Sequence, residues 1–220
     1  MRLALALILA LLLGGVAAGA GAPPGIAFGK WLAAEWRVGA AEETIVALKV
    51  RGLYVNGRLR EYTLGEPHAV SDRLFVVRRA YRLNDLLPGE KSAVPRWAWQ
   101  RAGWLLVDRS TGNVTQLRLP EFDAFHSTAS WFRDYVAYCG VSENGGKLFA
   151  VVAQLGRRKP VLRKDLGPSK GGDLPDAECS APRWQRGPVR VTFAPAGGEK
   201  LTFEVRGHAA EPVTEEETLE

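Results

Sequence analysis

The chain has 220 residues, of which 46% are hydrophobic and 24% are charged, and its formal net charge is +5. The part that follows the apolar N-terminal stretch is long enough for one domain with a substantial core. No later stretch approaches the length of about 18 uncharged apolar residues, so the sequence predicts no transmembrane segment in the mature chain.

The N-terminal stretch has the pattern of a secretory signal peptide, predicted over residues 1–22. A positively charged start precedes residues 3–13, an uncharged apolar run that is too short to span a membrane. Small residues then provide cleavage sites near Ala20 or Ala22. We therefore expect a secreted or periplasmic protein.

The remainder divides into three predicted regions. A flexible leader covers residues 23–29, a single β-rich domain covers 30–208, and an acidic disordered tail covers 209–220. Because the acids of the tail offset part of the positive charge, the body is more basic than the net charge implies. A basic exported body predicts an anionic envelope polymer or another envelope protein as partner, and no nucleic acid.

The first predicted elements are a short helix and a hairpin. Residues 30–37, KWLAAEWR, are expected to form one or two helical turns. A hairpin follows at residues 45–64, where Asn56-Gly57 indicates a type I′ turn, because both central residues of that turn need positive φ. Such a two-residue loop pairs Val55 with Arg58.

The second hairpin covers residues 103–119, with a turn from Asp108 to Asn113. Its aspartate can cap the backbone, and its glycine can take positive φ. The order strand–Asp–x–x–Thr–Gly–strand resembles the hairpins of β-propeller blades. This resemblance implies a propeller-like sheet, but the chain shows no blade-length repeat that would indicate a complete propeller.

Two further hairpins complete the pattern, at residues 134–154 and 189–205, and a Gly/Pro-rich loop at 167–182 separates them. Cys139 and Cys179 are the only cysteines, so we predict one disulfide that ties this loop to the sheet. The whole pattern predicts an all-β fold: a single antiparallel domain, sandwich-like or an incomplete propeller-like sheet, with at most a short N-terminal helix.

The segment ASWFRDYVAYCG, residues 129–140, places an adjacent Arg133-Asp134 pair before an apolar run. Because residues 135–141 are apolar on both alternating faces, they are typical of a strand that is buried on both sides. Tyr135, Val136 and Tyr138 are therefore expected to be nearly inaccessible. Asp134 is expected to accept a backbone amide or a non-adjacent arginine.

The densest polar stretch is residues 121–134, EFDAFHSTASWFRD. It supports two alternative hypotheses. The first is a hydrolase site in a cleft, in which an acid orients a histidine base. The second, which the sequence favours, is a loop in which Asp123 or Ser127 caps backbone amides. The residues concerned are Glu121, Asp123, His126, Ser127 and Asp134.

A second candidate is RWAWQRAGW, residues 96–104. On a strand, Trp97, Trp99 and Arg101 share one face. Exposed tryptophan stacks on sugar rings or cations, and arginine recognises carboxylate or phosphate, so this face would suit an anionic glycan. The alternative is that the tryptophans pack in the core.

A third candidate is the basic turn formed by Arg157, Arg158 and Lys159, which is either a solvated turn or a contact for an envelope polymer. The sequence predicts no metal site and no cofactor, since it lacks the usual metal, nucleotide and nucleophile-elbow motifs. The favoured function is an exported, non-catalytic binding or assembly module. The alternatives are a periplasmic hydrolase using Asp123, His126 and Asp134, and a structural envelope protein.

Overall fold

The computed structural model describes residues 23–38, 44–84, 97–172 and 174–213. These residues form strands and no helix, and every strand pairing is antiparallel, which confirms the all-β antiparallel fold. Accordingly, none of these residues belongs to a helix that could cross a membrane. The predicted signal peptide lies outside the described residues.

In chain order the strands are β1 (Ile26–Phe28), β2 (Leu32–Val38), β3 (Thr44–Val55), β4 (Arg58–Ala69), β5 (Leu74–Asn84), β6 (Trp97–Asp108), β7 (Val114–Leu117), β8 (Ser130–Phe132), β9 (Tyr135–Val141), β10 (Lys147–Gln154), β11 (Leu162–Pro168), β12 (Arg183–Arg186), β13 (Val189–Phe193), β14 (Leu201–Arg206) and β15 (Ala209–Pro212).

These strands form three sheets. The first has the order β1-β3-β4-β5-β6-β7, and β2 pairs with β3 on the same edge as β1. The second has the order β11-β10-β9-β8, and the third has the order β12-β13-β14-β15. Neighbours along the chain are mostly neighbours in a sheet, as expected when short turns connect antiparallel strands.

The second sheet is covered on both faces. One face, which carries Ala137 and Cys139, packs against Val191 and Phe193 of the third sheet. The opposite face, which carries Tyr138, is covered by residues from the segment between β7 and β9. Strands β9 and β10 are therefore buried on both faces, which explains their nearly continuous apolar sequence.

The hairpin turns lie where the sequence predicts them. Asn56 and Gly57 have φ values of 51° and 73°, and Val55 pairs with Arg58. The second hairpin joins β6 to β7, the third joins β9 to β10, and the fourth joins β13 to β14. The predicted disulfide is also present, between Cys139 in β9 and Cys179 in the loop before β12.

The helix predicted at residues 30–37 is wrong. Leu32–Val38 is strand β2, and it pairs along Thr44–Val50 of β3. Its inward and outward positions alternate, with Trp36 and Val38 buried and the residue between them exposed. Cross-strand pairing and burial therefore outweigh the helix propensity of the alanines and the glutamate in this segment.

Both ends of the predicted domain also extend further than expected. The region predicted as a flexible leader contains β1, which pairs with β3. The region predicted as an acidic tail begins with β15, which pairs with β14. Residues 214–220 lie outside the described residues. The backbone hydrogen bonds of these short strands add an edge to the first and third sheets.

In ASWFRDYVAYCG, Tyr135, Val136 and Tyr138 were expected to be nearly inaccessible, and this is confirmed for two of them. Val136 and Tyr138 have no exposed surface, and the Tyr138 hydroxyl donates to the Pro120 carbonyl. Tyr135 is only half-buried, because it begins the strand and its hydroxyl reaches the carbonyl of Gly207 in the β14–β15 turn. Burial raises the pKa of both tyrosines, and that of Tyr138 by the larger amount.

Candidate functional site

A broad groove opens where β2 and β3 come beside the ends of β5 and β6. Its volume is about 1110 Å³. Alanines line it at Ala33 and Ala47 on one side and at Ala98 on the other, so short side chains make up much of its surface. Leu83 and Trp97 also line it, and each is 47% exposed. The groove thus combines small lining residues with exposed apolar side chains.

Arg82 is held by three aromatic rings at the end of the groove that carries Trp97. Its guanidinium carbon lies 4.4 Å from the Trp97 ring, 5.5 Å from the Tyr62 ring and 5.8 Å from the Trp99 ring. The strand register explains the contact, since Arg82 pairs directly with Trp99 across β5 and β6. Tyr62 and Trp99 meet edge to face at 5.0 Å, which fixes the rings around the cation.

Charged side chains on β2 and β3 line the opposite wall of the groove. Arg37 and Lys49 are cationic, and Glu35 is anionic but lies 3.5 Å from Arg37. The exposed Glu35–Arg37 pair largely neutralises itself, so among the described residues Lys49 and the nearby Arg82 leave the groove with a positive charge. The local potential therefore favours an anionic ligand.

Arg101, predicted to share the binding face with Trp97 and Trp99, has a different environment. Its side chain is 11% exposed and forms a two-pronged ion pair with Asp176, at 2.7 and 3.1 Å. It also donates to the Phe125 carbonyl and stacks on Trp36 at 4.6 Å. The β5–β6 register shifts just beyond Arg101, because Arg78 pairs with Trp104 and Ala80 pairs with Arg101. Arg101 thus connects loops inside the protein.

Arg78 reinforces the same connection. It donates to the carbonyls of Ala124 and Ser127, and burial, together with the charge of Arg101, lowers its pKa to about 10. Thr128 donates its hydroxyl hydrogen to Asp176. We call Arg78, Arg101, Thr128 and Asp176 the arginine clamp, because they fasten the loop between β7 and β8 to the first sheet.

The pKa of Asp176 reflects this environment. Burial on its own would raise the pKa, but hydrogen bonds from Arg101 and Thr128, together with the charges of Arg101 and Arg78, bring it below the ordinary value. Asp176 is therefore a carboxylate at neutral pH, and its charge balances part of the charge of the two half-buried arginines. Its backbone has a φ of 61°, which turns the chain so that the carboxylate meets the arginines.

The predicted polar loop is built as a structural element. Asp123 accepts hydrogen bonds from the backbone amides of Phe125 and His126, and the Ser127 hydroxyl donates to the Cys139 carbonyl. Glu121 pairs with Arg163 across the surface of the second sheet. The carboxylate of Asp123 and the hydroxyl of Ser127 are thus engaged with the backbone, as the capping alternative expects.

Asp134 belongs to a different part of the molecule from Asp123 and His126. It sits in the turn between β8 and β9 and accepts a hydrogen bond from the Gln154 side chain at 2.8 Å. Among the described residues, the carboxylate of Asp134 thus accepts from a glutamine amide and from no arginine or backbone amide, while its backbone carbonyl accepts from the Leu155 amide. The loop of Asp123 packs at the opposite end of β9, near Cys139, so the structure does not bring the three proposed hydrolase residues together.

The basic turn of Arg157, Arg158 and Lys159 is exposed and follows β10. It lies near the Asp134 end of the second sheet, since the Leu155 amide donates to the Asp134 carbonyl. The groove belongs to the first sheet. The sequence-predicted binding residues therefore fall in three places: Trp97 and Trp99 at the groove, Arg101 in the clamp, and the basic turn elsewhere.

Sequence reasoning missed Arg82, Arg78 and Asp176. Arg82 stands opposite Trp99, but reading that pairing requires the β5–β6 register, which shifts along the strands. Asp176 is separated from Arg101 by 75 positions and lies in a Gly/Pro-rich loop, so no local pattern connects the two. Alternation identifies which residues share a face of one strand, but it does not identify contacts between distant loops.

Within the described ranges, no cluster of three or more His, Cys, Asp or Glu residues is arranged to hold a metal ion. Comparison of the chain with protein-family models, with curated proteins and with solved structures finds no match.

Proposed function

We propose that this chain is an exported, non-catalytic binding or assembly module that contacts an anionic envelope partner through the groove between β2–β3 and β5–β6. The observation that carries the proposal is the Arg82 guanidinium held among Tyr62, Trp97 and Trp99 beside an exposed groove that is partly lined by alanines. Export follows from the predicted signal peptide.

The chemistry of this arrangement supports an anionic ligand that also has stacking surfaces. A guanidinium that lies on aromatic rings keeps its N–H edge available, and that edge matches the geometry of carboxylate and phosphate. Trp97 is 47% exposed, so part of its ring is available to stack on a sugar. Lys49 adds a second positive charge along the groove. An acidic polysaccharide combines the two properties that these groups recognise.

The test is co-sedimentation of the purified protein with isolated cell envelopes and with polygalacturonate, an acidic polysaccharide, using dextran as the neutral control. We expect retention on the acidic polymer that decreases as salt increases, because exposed ion contacts are screened. Trp97→Ala and Arg82→Gln should each weaken retention about fivefold, the upper range for one exposed contact.

Matched controls separate the groove from the general positive charge of the protein. Leu59→Ala removes an apolar side chain of similar exposure, 44%, from another surface. Arg60→Gln removes one exposed charge from the same strand as Leu59, and Arg158→Gln removes one from the basic turn. All three should retain binding. An equal loss of retention in Arg82→Gln and Arg158→Gln would show that the general positive charge, and not the groove, causes binding. If the wild-type protein is not retained at all, the proposal is refuted.

A further inference from the structure

A second basic cavity lies where the three sheets meet. Its volume is about 470 Å³. His68 and Ala69 line it from the end of β4, Trp131 and Phe132 from β8, and Arg186 from the end of β12. Because His68 pairs with Val76 near the start of β5, while Leu83 in the groove is near the end of β5, the two cavities lie at opposite ends of this strand.

The lining of this cavity is cationic. Arg133, in the turn between β8 and β9, and Arg186 are both exposed and both line it. None of the described residues that line it is acidic. Two exposed guanidinium groups beside one cavity attract negative charge, so the electrostatics of this lining favour an anionic occupant.

The cavity wall is rigid because its rings already have partners. His68 donates from Nε2 to the Arg133 carbonyl at 2.8 Å and stacks on Trp131 at 5.9 Å. Phe132 stacks on Trp184 at 5.5 Å, which fixes β8 against β12. These rings pack against each other, and the exposed polar groups of the lining are the charged ends of Arg133 and Arg186. The cavity is therefore suited to a small oxyanion group more than to a flat ring.

Arg133 also has an unusual backbone. Its φ is 53°, in the left-handed region that glycine and asparagine adopt with less strain than arginine. Such residues persist where the surrounding structure holds them, and they concentrate at binding sites. The hydrogen bond from His68 to the Arg133 carbonyl is one contact that holds this conformation.

We propose that this cavity is a binding site for an oxyanion group, a phosphate or a carboxylate, held between Arg133 and Arg186 and braced by His68. The proposal is independent of the groove, since it uses different strands and different residues.

The test is titration of inorganic phosphate into the ¹⁵N-labelled protein, followed at the Trp131 indole N–H and the Arg133 amide. Acetate provides the carboxylate arm, and sodium chloride at equal ionic strength provides the background. Shifts with phosphate alone indicate a phosphate group, and shifts with both anions indicate that either group binds. Shifts no larger than those with chloride would overturn the proposal.

Variants locate the site. Arg186→Gln should weaken phosphate binding about fivefold, the upper range for one exposed ion pair. Arg183→Gln, an exposed residue of the same strand outside the cavity, should leave it unchanged. Trp97→Ala should also leave phosphate affinity unchanged. The proposal for this cavity can therefore fail independently of the proposal for the groove. Equal affinity in Arg186→Gln and the wild-type protein would refute the site.

Arg133→Gly gives a result that a purely structural role would not produce. Glycine adopts the positive φ without strain, so the melting temperature should be equal to or above that of the wild-type protein. Phosphate affinity should nevertheless decrease about fivefold, because one cation is lost. A lower melting temperature with unchanged phosphate affinity would show that Arg133 only supports the fold, and the proposal would fail.

Discussion

The arginine clamp makes a strong prediction about stability. In Asp176→Asn the side chain keeps its shape but loses its charge, so Arg101, which is only 11% exposed, keeps its own charge without a carboxylate partner. Breaking a fully buried ion pair costs about 3–5 kcal/mol. Asp176 is 35% exposed, and water there offsets part of the loss, so we expect a decrease of about 2 kcal/mol in the free energy of unfolding.

Glu66→Gln is the matched control for this change. Arg51 and Glu66 are also 2.7 Å apart, and the Arg51 side chain is 12% exposed, but Glu66 is 75% exposed. Neutralising Glu66 should therefore cost less than about 1 kcal/mol. Urea denaturation of both variants at pH 7 measures the difference. Equal costs would contradict the conclusion that burial of the clamp determines its contribution.

The clamp also predicts a pH dependence with a definite sign. Because the pKa of Asp176 in the folded protein is below its ordinary value of 3.8, its contribution is present above that value and is lost as the pH falls through the folded-state pKa. The stability difference between the wild-type protein and Asp176→Asn should therefore shrink below pH 3.8. A difference that stays constant down to the acid transition would refute this assignment.

Three sets of substitutions test the core. Tyr138→Ala should cost about 3–5 kcal/mol, and Tyr135→Ala about 1–2 kcal/mol, because only the first is fully buried; equal costs in urea denaturation would contradict this. Gly140→Ala should lower the free energy of unfolding by about 1–3 kcal/mol, because its Cβ would lie 2.7 Å from the Glu121 carbonyl oxygen. In the control Gly103→Ala the Cβ meets open space, so the free energy of unfolding should change by less than about 0.5 kcal/mol. Replacing the Cys139–Cys179 pair with alanines should cost roughly 4 kcal/mol for a 40-residue separation, and a cost below 1 kcal/mol would mean that the loop is held by other contacts.

Local turn chemistry accounts for the parts of the fold that the sequence predicts well. A turn such as Asn56-Gly57 is determined by two adjacent residues, and the alternation beside it then determines the faces of both strands. The run from Val136 to Val141 is equally local, because apolar residues on both faces leave a buried strand as the simplest interpretation. Predictions of this kind need only the neighbours of each residue.

Predictions failed where a distant partner determines the structure. Residues 32–38 contain helix-forming residues, but β3 provides a paired edge for them, and this tertiary contact decides the conformation. Arg101 follows two tryptophans on one face, yet Asp176 draws it into the interior. In both cases the missing information was the identity of a partner that lies far away in the sequence.

Part of the positive charge of the chain comes from arginines that pack inside the structure. Arg78 and Arg101 hold loops in the clamp, and Arg51 lies between the rings of Phe28 and Trp31, at 4.2 and 4.1 Å. These cations contribute to packing, because a guanidinium stacks on rings and donates in several directions at once. The net charge of the chain therefore overstates the number of cationic side chains that a ligand can contact. The case for an anionic partner depends instead on two local arrangements, Arg82 with Lys49 at the groove and Arg133 with Arg186 at the three-sheet junction.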